Sequence, residues 1–165
     1  MKTIRFELEG LPSIHSPATT LYMPNIYHYF SIQQSPARVF ENMVTAQGLD
    51  NWWTKSSVVT PEPGGMYLLD FGPGYVWKAM VTQYKPDEVF ELEFTEADKD
   101  WVGTKVGFTL VAHNGKTTVR FYHAEWPREN EHFRISSYCW AMYLRILKRY
   151  LEFGEQVPYE KRLDV

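Results

Sequence analysis

His123 and Glu125 are the residues whose types and spacing come nearest to chemistry. His123 continues the alternation of Val119 and Phe121, which points it inward, and Glu125 falls on the same face two residues on. An imidazole works as acid, base or hydrogen-bond anchor near neutral pH. With a carboxylate nearby it could hold a polar ligand group or move a proton. The plainer alternative is a histidine bonded to a tyrosine or a backbone carbonyl that only satisfies the core. Either way, a buried imidazole needs a partner.

A second group is apolar. Trp53, Trp77, Phe90, Phe108, Phe121, Trp140 and Tyr143 could line a ligand pocket around His123, and aromatics make up 16% of the chain. Large rings need a thick core or a cavity to line, so a filled core is the alternative. Trp52 and Trp53 are adjacent and cannot both take one direction; Trp53 is expected to face the cavity and Trp52 to plug the core. Tyr143, beside the inner stripe of the last helix, would offer a hydroxyl.

Other chemistry is not expected. The five histidines show no helical i, i+4 pairing and no cysteine companions, so no metal site is expected. Cys139 reads as a packed thiol. Gly72-Pro73-Gly74 joins two strands rather than a strand to a helix, and there is no G-x-S-x-G elbow. No cofactor is expected. A net charge of −3 argues against nucleic acid. No run of about 18 apolar residues predicts a membrane span. The N-terminus lacks a signal-peptide pattern, and one cysteine suits a reducing, cytoplasmic setting.

The elements that must position these residues can be read from periodicity. Asn25 to Gln33 predicts a strand, and Ser35-Pro36 a helix start. Val39, Phe40 and Met43 share one side of that short helix; a second helical piece spans Gln47 to Trp53. Strands follow at 66–71, 75–84, 89–95, 103–113 and 116–126, the last two joined by Asn114-Gly115, a strong hairpin signal. In the third of these, Phe90, Leu92 and Phe94 are expected inside and Glu91 and Glu93 outside. A long helix over 131–153 shows Phe133, Ser137, Trp140, Leu144, Leu147 and Leu151 on one face, with Gly154 as its stop. Strands in a block with segregated helices predict an α+β fold, the last helix lying across a curved antiparallel sheet.

Ser35-Pro36-Ala37-Arg38-Val39-Phe40, Leu49-Asp50-Asn51-Trp52-Trp53 and Pro63-Gly64-Gly65, followed by Trp140, Tyr143-Leu144, Leu147 and Tyr150-Leu151-Glu152-Phe153-Gly154, together resemble the START-like (SRPBCC) superfamily. The likeness is closest to the branch named after the activator of the heat-shock-protein-90 ATPase. The resemblance implies a helix-grip fold, a bent sheet wrapped around the C-terminal helix with a cavity between them. It implies no single activity: members bind lipids, hormones, polyketides or other apolar molecules, and some catalyse reactions on them.

The expected organisation is an N-terminal extension over 1–24, a START-like domain over 25–155 and a tail over 156–165. The expected function is binding of a small apolar molecule. The alternatives are a cyclase- or hydrolase-like enzyme using His123 as acid/base with Glu125 as helper, and a co-chaperone-type interaction module. Residues 3–8 form a short amphipathic strand, expected to add to a sheet edge in the same chain or in a homodimer mate.

Overall fold

The computed structural model describes residues 23–164. The predicted strand at 3–8 lies outside them.

Seven strands form one antiparallel sheet: β1 (Ile26–Ile32), β2 (Ser56–Val59), β3 (Met66–Asp70), β4 (Val76–Lys85), β5 (Val89–Glu96), β6 (Lys105–His113) and β7 (Lys116–Ala124). Their order is β1-β7-β6-β5-β4-β3-β2, so consecutive strands from β2 to β7 form a meander and β1 returns to pair with β7. Two short helices, α1 (Pro36–Val44) and α2 (Ala46–Asp50), connect the two edge strands, and α3 (Glu131–Phe153) follows the sheet. This is the α+β helix-grip architecture.

Local chemistry sets the boundaries. Ser35 caps α1 by accepting from the Arg38 amide, with Pro36 in the first turn where its missing N–H costs nothing. Thr45 serves two helices: its hydroxyl donates to Glu41 O of α1 and accepts from the Gly48 amide of α2. Gly48 packs on α1 so tightly that a Cβ there would sit 2.5 Å from the Asn42 backbone. The β6–β7 hairpin turns at Asn114 and Gly115 with φ of 50° and 73°, the positive values its two-residue turn requires. Asn130 caps α3 by accepting from Phe133 N, and Gly154 ends it at φ 69°.

Four readings need correction. The β2 edge strand was not expected, and the second helical piece stops at Asp50 rather than Trp53. On α3 it is Ser136, not Ser137, that is buried. Glu91, expected outside, is only 7% exposed. It lies under Tyr122, whose hydroxyl donates to Glu91 Oε2 at 2.6 Å, while Thr82 donates to Oε1 at 2.7 Å. Tyr122 can fold inward because its neighbour across the ladder is Gly107, where any Cβ would collide with the phenol. Two hydroxyl donors allow a carboxylate to lose water that alternation alone would have kept.

Candidate functional site

The expected lining residues divide between two places. Phe90, Phe108 and Phe121 meet Trp52, Trp53 and Trp140 around a space of only about 20 Å³, room for little more than one water molecule. Here, under the middle of the sheet, the protein's own rings fill the core. Trp53, Trp77, Trp140 and Tyr143 instead line a pocket of about 180 Å³ toward one end of the sheet and the first half of α3.

That pocket has a closed aromatic wall. Ring centroids step from Trp53 to Phe71 (5.4 Å), to Trp77 (4.9 Å), to Trp101 (4.8 Å), to Trp140 (5.8 Å) and back to Trp53 (5.0 Å). Each ring comes from a different segment: the residues after α2, the end of β3, strand β4, the β5–β6 loop and α3. Helix α3 supplies the rest through His132, Ile135, Ser136, Cys139, Trp140 and Tyr143, whose i, i+3, i+4, i+7, i+8, i+11 spacing places them along one stripe. Trp52 stays outside this wall; its indole N–H donates to Asn42 O within the core. Trp101, Phe71 and His132 were not among the expected residues. Trp101 lies in a loop, where periodicity carries no signal, and Phe71, the last residue of the strand expected at 66–71, sits one residue beyond β3.

His123 lies beneath the pocket wall and is fully buried. Trp140 Nε1 is 3.0 Å from His123 Nδ1, and an indole nitrogen can only donate. Nδ1 must therefore be the bare acceptor, and the proton sits on Nε2. That N–H donates to Thr104 Oγ1 at 2.8 Å, and the Thr104 hydroxyl donates to Trp101 O at 2.6 Å. The chain of bonds has one direction throughout and fixes a neutral imidazole. Burial, with a smaller push from His132, lowers the His123 pKa well below the ordinary histidine value. Nδ1 thus serves the wall residue Trp140 directly, and Nε2 serves Trp101 only through Thr104.

Glu125 does not share the His123 face as expected. It takes φ 64° just after β7, its amide donates to Asn25 Oδ1, and its carboxylate pairs with Lys105 Nζ at 2.7 Å. The left-handed backbone breaks the alternation that would have aligned the two side chains.

The polar groups that do line the pocket are His132, Ser136, Cys139 and Tyr143. Burial pushes the Tyr143 phenol up to about 12, helped by Tyr159 and Cys139 and opposed by Arg162, so it stays a neutral donor. Burial also raises the Cys139 thiol, the opposite of what a nucleophilic cysteine needs.

Within the tail expected over 156–165, residues 157–164 form a strap beside the pocket. A 3-10 turn over Tyr159–Asp164 brings the Tyr159 hydroxyl to Phe71 O at 2.7 Å. Arg162 is buried, and its guanidinium donates to Asp50 O at 2.6 Å, Thr54 O at 3.0 Å and Val157 O at 3.1 Å. The strap thus holds the backbone on both sides of Trp53 and at Phe71.

Two larger hollows of about 300 and 480 Å³ flank another side of α3, and Arg145 and Arg149 line both. Neither has the aromatic wall. No helix among the described residues is long and apolar enough to cross a membrane, and no group of metal-ligating side chains occurs among them.

Similar proteins share this frame. The solution structure of the Aha1 dimer from Colwellia psychrerythraea is 28% identical with a TM-score of 0.74, covering 81% of this chain and 99% of that one. Protein SSP2350 from Staphylococcus saprophyticus is 16% identical with a TM-score of 0.69, over 81% and 96% of the two chains. Protein MLL2253 from Mesorhizobium loti is 15% identical with a TM-score of 0.70, over 78% and 96%. No curated protein matches the sequence. Residues 33–152 match the model of the activator of Hsp90 ATPase homolog 1-like proteins, and the chain belongs to that family.

Proposed function

We propose that this protein binds a small, largely apolar molecule in the pocket walled by Trp53, Phe71, Trp77, Trp101 and Trp140. The closed circuit of five rings around about 180 Å³ is the observation that carries this reading. Apolar walls with a few placed polar groups are the usual form of a small-molecule site. Desolvation of the guest against those walls supplies the affinity, at roughly 25 cal/mol per Å² of apolar area. The volume suits a guest of one or two rings, or one end of a longer molecule.

Binding is favoured over turnover. His123 spends both nitrogens on Trp140 and Thr104, and Glu125 pairs with Lys105. Neither is positioned to exchange protons with a guest in the pocket.

Titration with toluene tests the reading. Indole emission should change as the pocket fills, and amide signals of Trp53, Trp101 and Cys139 should shift together in an NMR titration. Cys139→Trp, which fills the pocket from α3, should abolish both responses. Unchanged spectra of the wild type at saturating toluene would sink the proposal.

The Colwellia relative was solved as a dimer, and a homodimer is the assembly we infer for this chain. Analytical ultracentrifugation showing only monomer up to the highest soluble concentration would refute it.

A further inference from the structure

His132 reaches the aromatic pocket from the first turn of α3, and its ring is fixed by a residue from elsewhere in the fold. Asp100, on the β5–β6 loop, lies with its Oδ2 atom 3.3 Å from His132 Nδ1. The same oxygen accepts from Asn130 Nδ2 at 3.0 Å, and Arg128 approaches Oδ1 at 3.7 Å. Those contacts, the Asn130 bond foremost, hold the Asp100 carboxyl below the usual carboxylate range, so it is ionised and can only accept. His132 Nδ1 must then carry a proton. In a neutral imidazole this leaves Nε2 as a bare lone pair. Among the described residues Nε2 has no hydrogen-bond partner, whereas both nitrogens of His123 are satisfied.

The His132 ring packs perpendicular to the Trp126 indole, at a centroid distance of 5.7 Å and 88° between planes. The ring is therefore packed as well as bonded, and the residue lines the pocket. A lone pair beside aromatic walls recognises a guest that brings a hydroxyl donor on an aromatic ring. It gives nothing to a hydrocarbon and repels a carboxylate.

We propose that the pocket is selective for small phenols, the phenolic O–H donating to His132 Nε2 while Asp100 acts as a positioning residue that fixes the tautomer. This rests on the reading that the pocket binds small apolar molecules, and it names the chemical class of the guest.

The experiment compares phenol, toluene and benzoate by NMR titration at about pH 8, where an ordinary histidine is neutral. The quantity read is the ratio of phenol to toluene affinity, in the wild type, His132→Phe, His132→Gln and Asp100→Asn. One net hydrogen bond corresponds to roughly a three- to tenfold contribution. His132→Phe should lower the ratio by that factor with toluene affinity unchanged. His132→Gln, which keeps an acceptor oxygen, should recover part of it, and Asp100→Asn should lower it less than His132→Phe. Thermal unfolding of each variant checks that it folds.

An unchanged ratio in both His132 variants, with toluene still bound, overturns the phenol proposal and leaves the apolar pocket standing. Tighter binding of benzoate than of phenol overturns it too. Failure of all three probes to bind overturns the pocket reading and this proposal with it.

Discussion

Trp140 donates its indole proton to His123 Nδ1 across 3.0 Å, and that bond determines which form of the histidine the fold accepts. Protonating Nδ1 would set two donors against each other. Free histidine takes a proton near pH 6.5, so between that value and its lower folded value the unfolded chain binds more protons. Stability is therefore complete above about pH 6.5 and falls on acidification, by at most about 1.4 kcal/mol per pH unit for one histidine. Chemical denaturation at a series of pH values should show this slope, and His123→Leu should flatten most of it. His28, also lowered by burial against its bond to Ser137 O, leaves a smaller residue of the same sign. Equal slopes in wild type and variant would assign the acid sensitivity elsewhere.

Acidification has a second, lower stage. Burial opposes ionisation of Glu91, but hydrogen bonds from Tyr122, Thr82 and Gln83 and the charge of Lys105 outweigh it and hold the carboxyl below its usual range. A lowered carboxyl stabilises the fold above its ordinary value and loses that contribution as pH falls through the folded one. Below about pH 4.5 the wild type should lose stability faster than Glu91→Gln, although Glu91→Gln is the less stable of the two near neutral pH. Parallel acid-unfolding curves would contradict the assignment.

Arg162→Ala should cost roughly 2–4 kcal/mol, since it leaves the carbonyls of Asp50 and Thr54 short of a charged donor in a buried place. Arg162→Lys should recover little, because one ammonium cannot span both oxygens and Val157 O. Urea midpoints measure the loss. Hydrogen exchange should show it first at Trp53 and Thr54; uniform acceleration over the whole chain would mean that the strap has no local target.

Gly48→Ala should destabilise by about 1–3 kcal/mol, the usual cost of overpacking, because its Cβ would press on the Asn42 backbone 2.5 Å away. Helix propensity predicts the reverse, a gain of up to about 1 kcal/mol. The sign of the change in melting temperature therefore decides between close packing and propensity.

Legibility followed periodicity. Helix α3 could be bounded at 131–153 because its apolar stripe repeats for six turns and ends on a glycine. Adjacency did not part Trp52 from Trp53: both are buried and their rings stack at 6.0 Å with 25° between planes, and only Trp53 also lines the pocket. The pair formed by Asp100 and His132 was out of reach, since 32 residues and a loop of no period separate them. Glu125 went astray for a similar reason: one residue at positive φ reverses a face, and nothing in a two-residue alternation announces it. Glu91 shows the opposite failure, a correct strand whose outer face is buried by a neighbour that only the missing side chain of Gly107 admits. The strap gives no periodic signal because Tyr159 and Arg162 attach it to main-chain oxygens, which leave no mark in the sequence.

The circuit of rings has an optical consequence. Trp53, Trp77, Trp101 and Trp140 are spaced so closely that their transition dipoles couple, and light absorbed by one is shared among all four. The protein carries its own spectroscopic antenna: one chiral chromophore whose near-ultraviolet dichroism registers any guest or distortion that parts two neighbouring indoles.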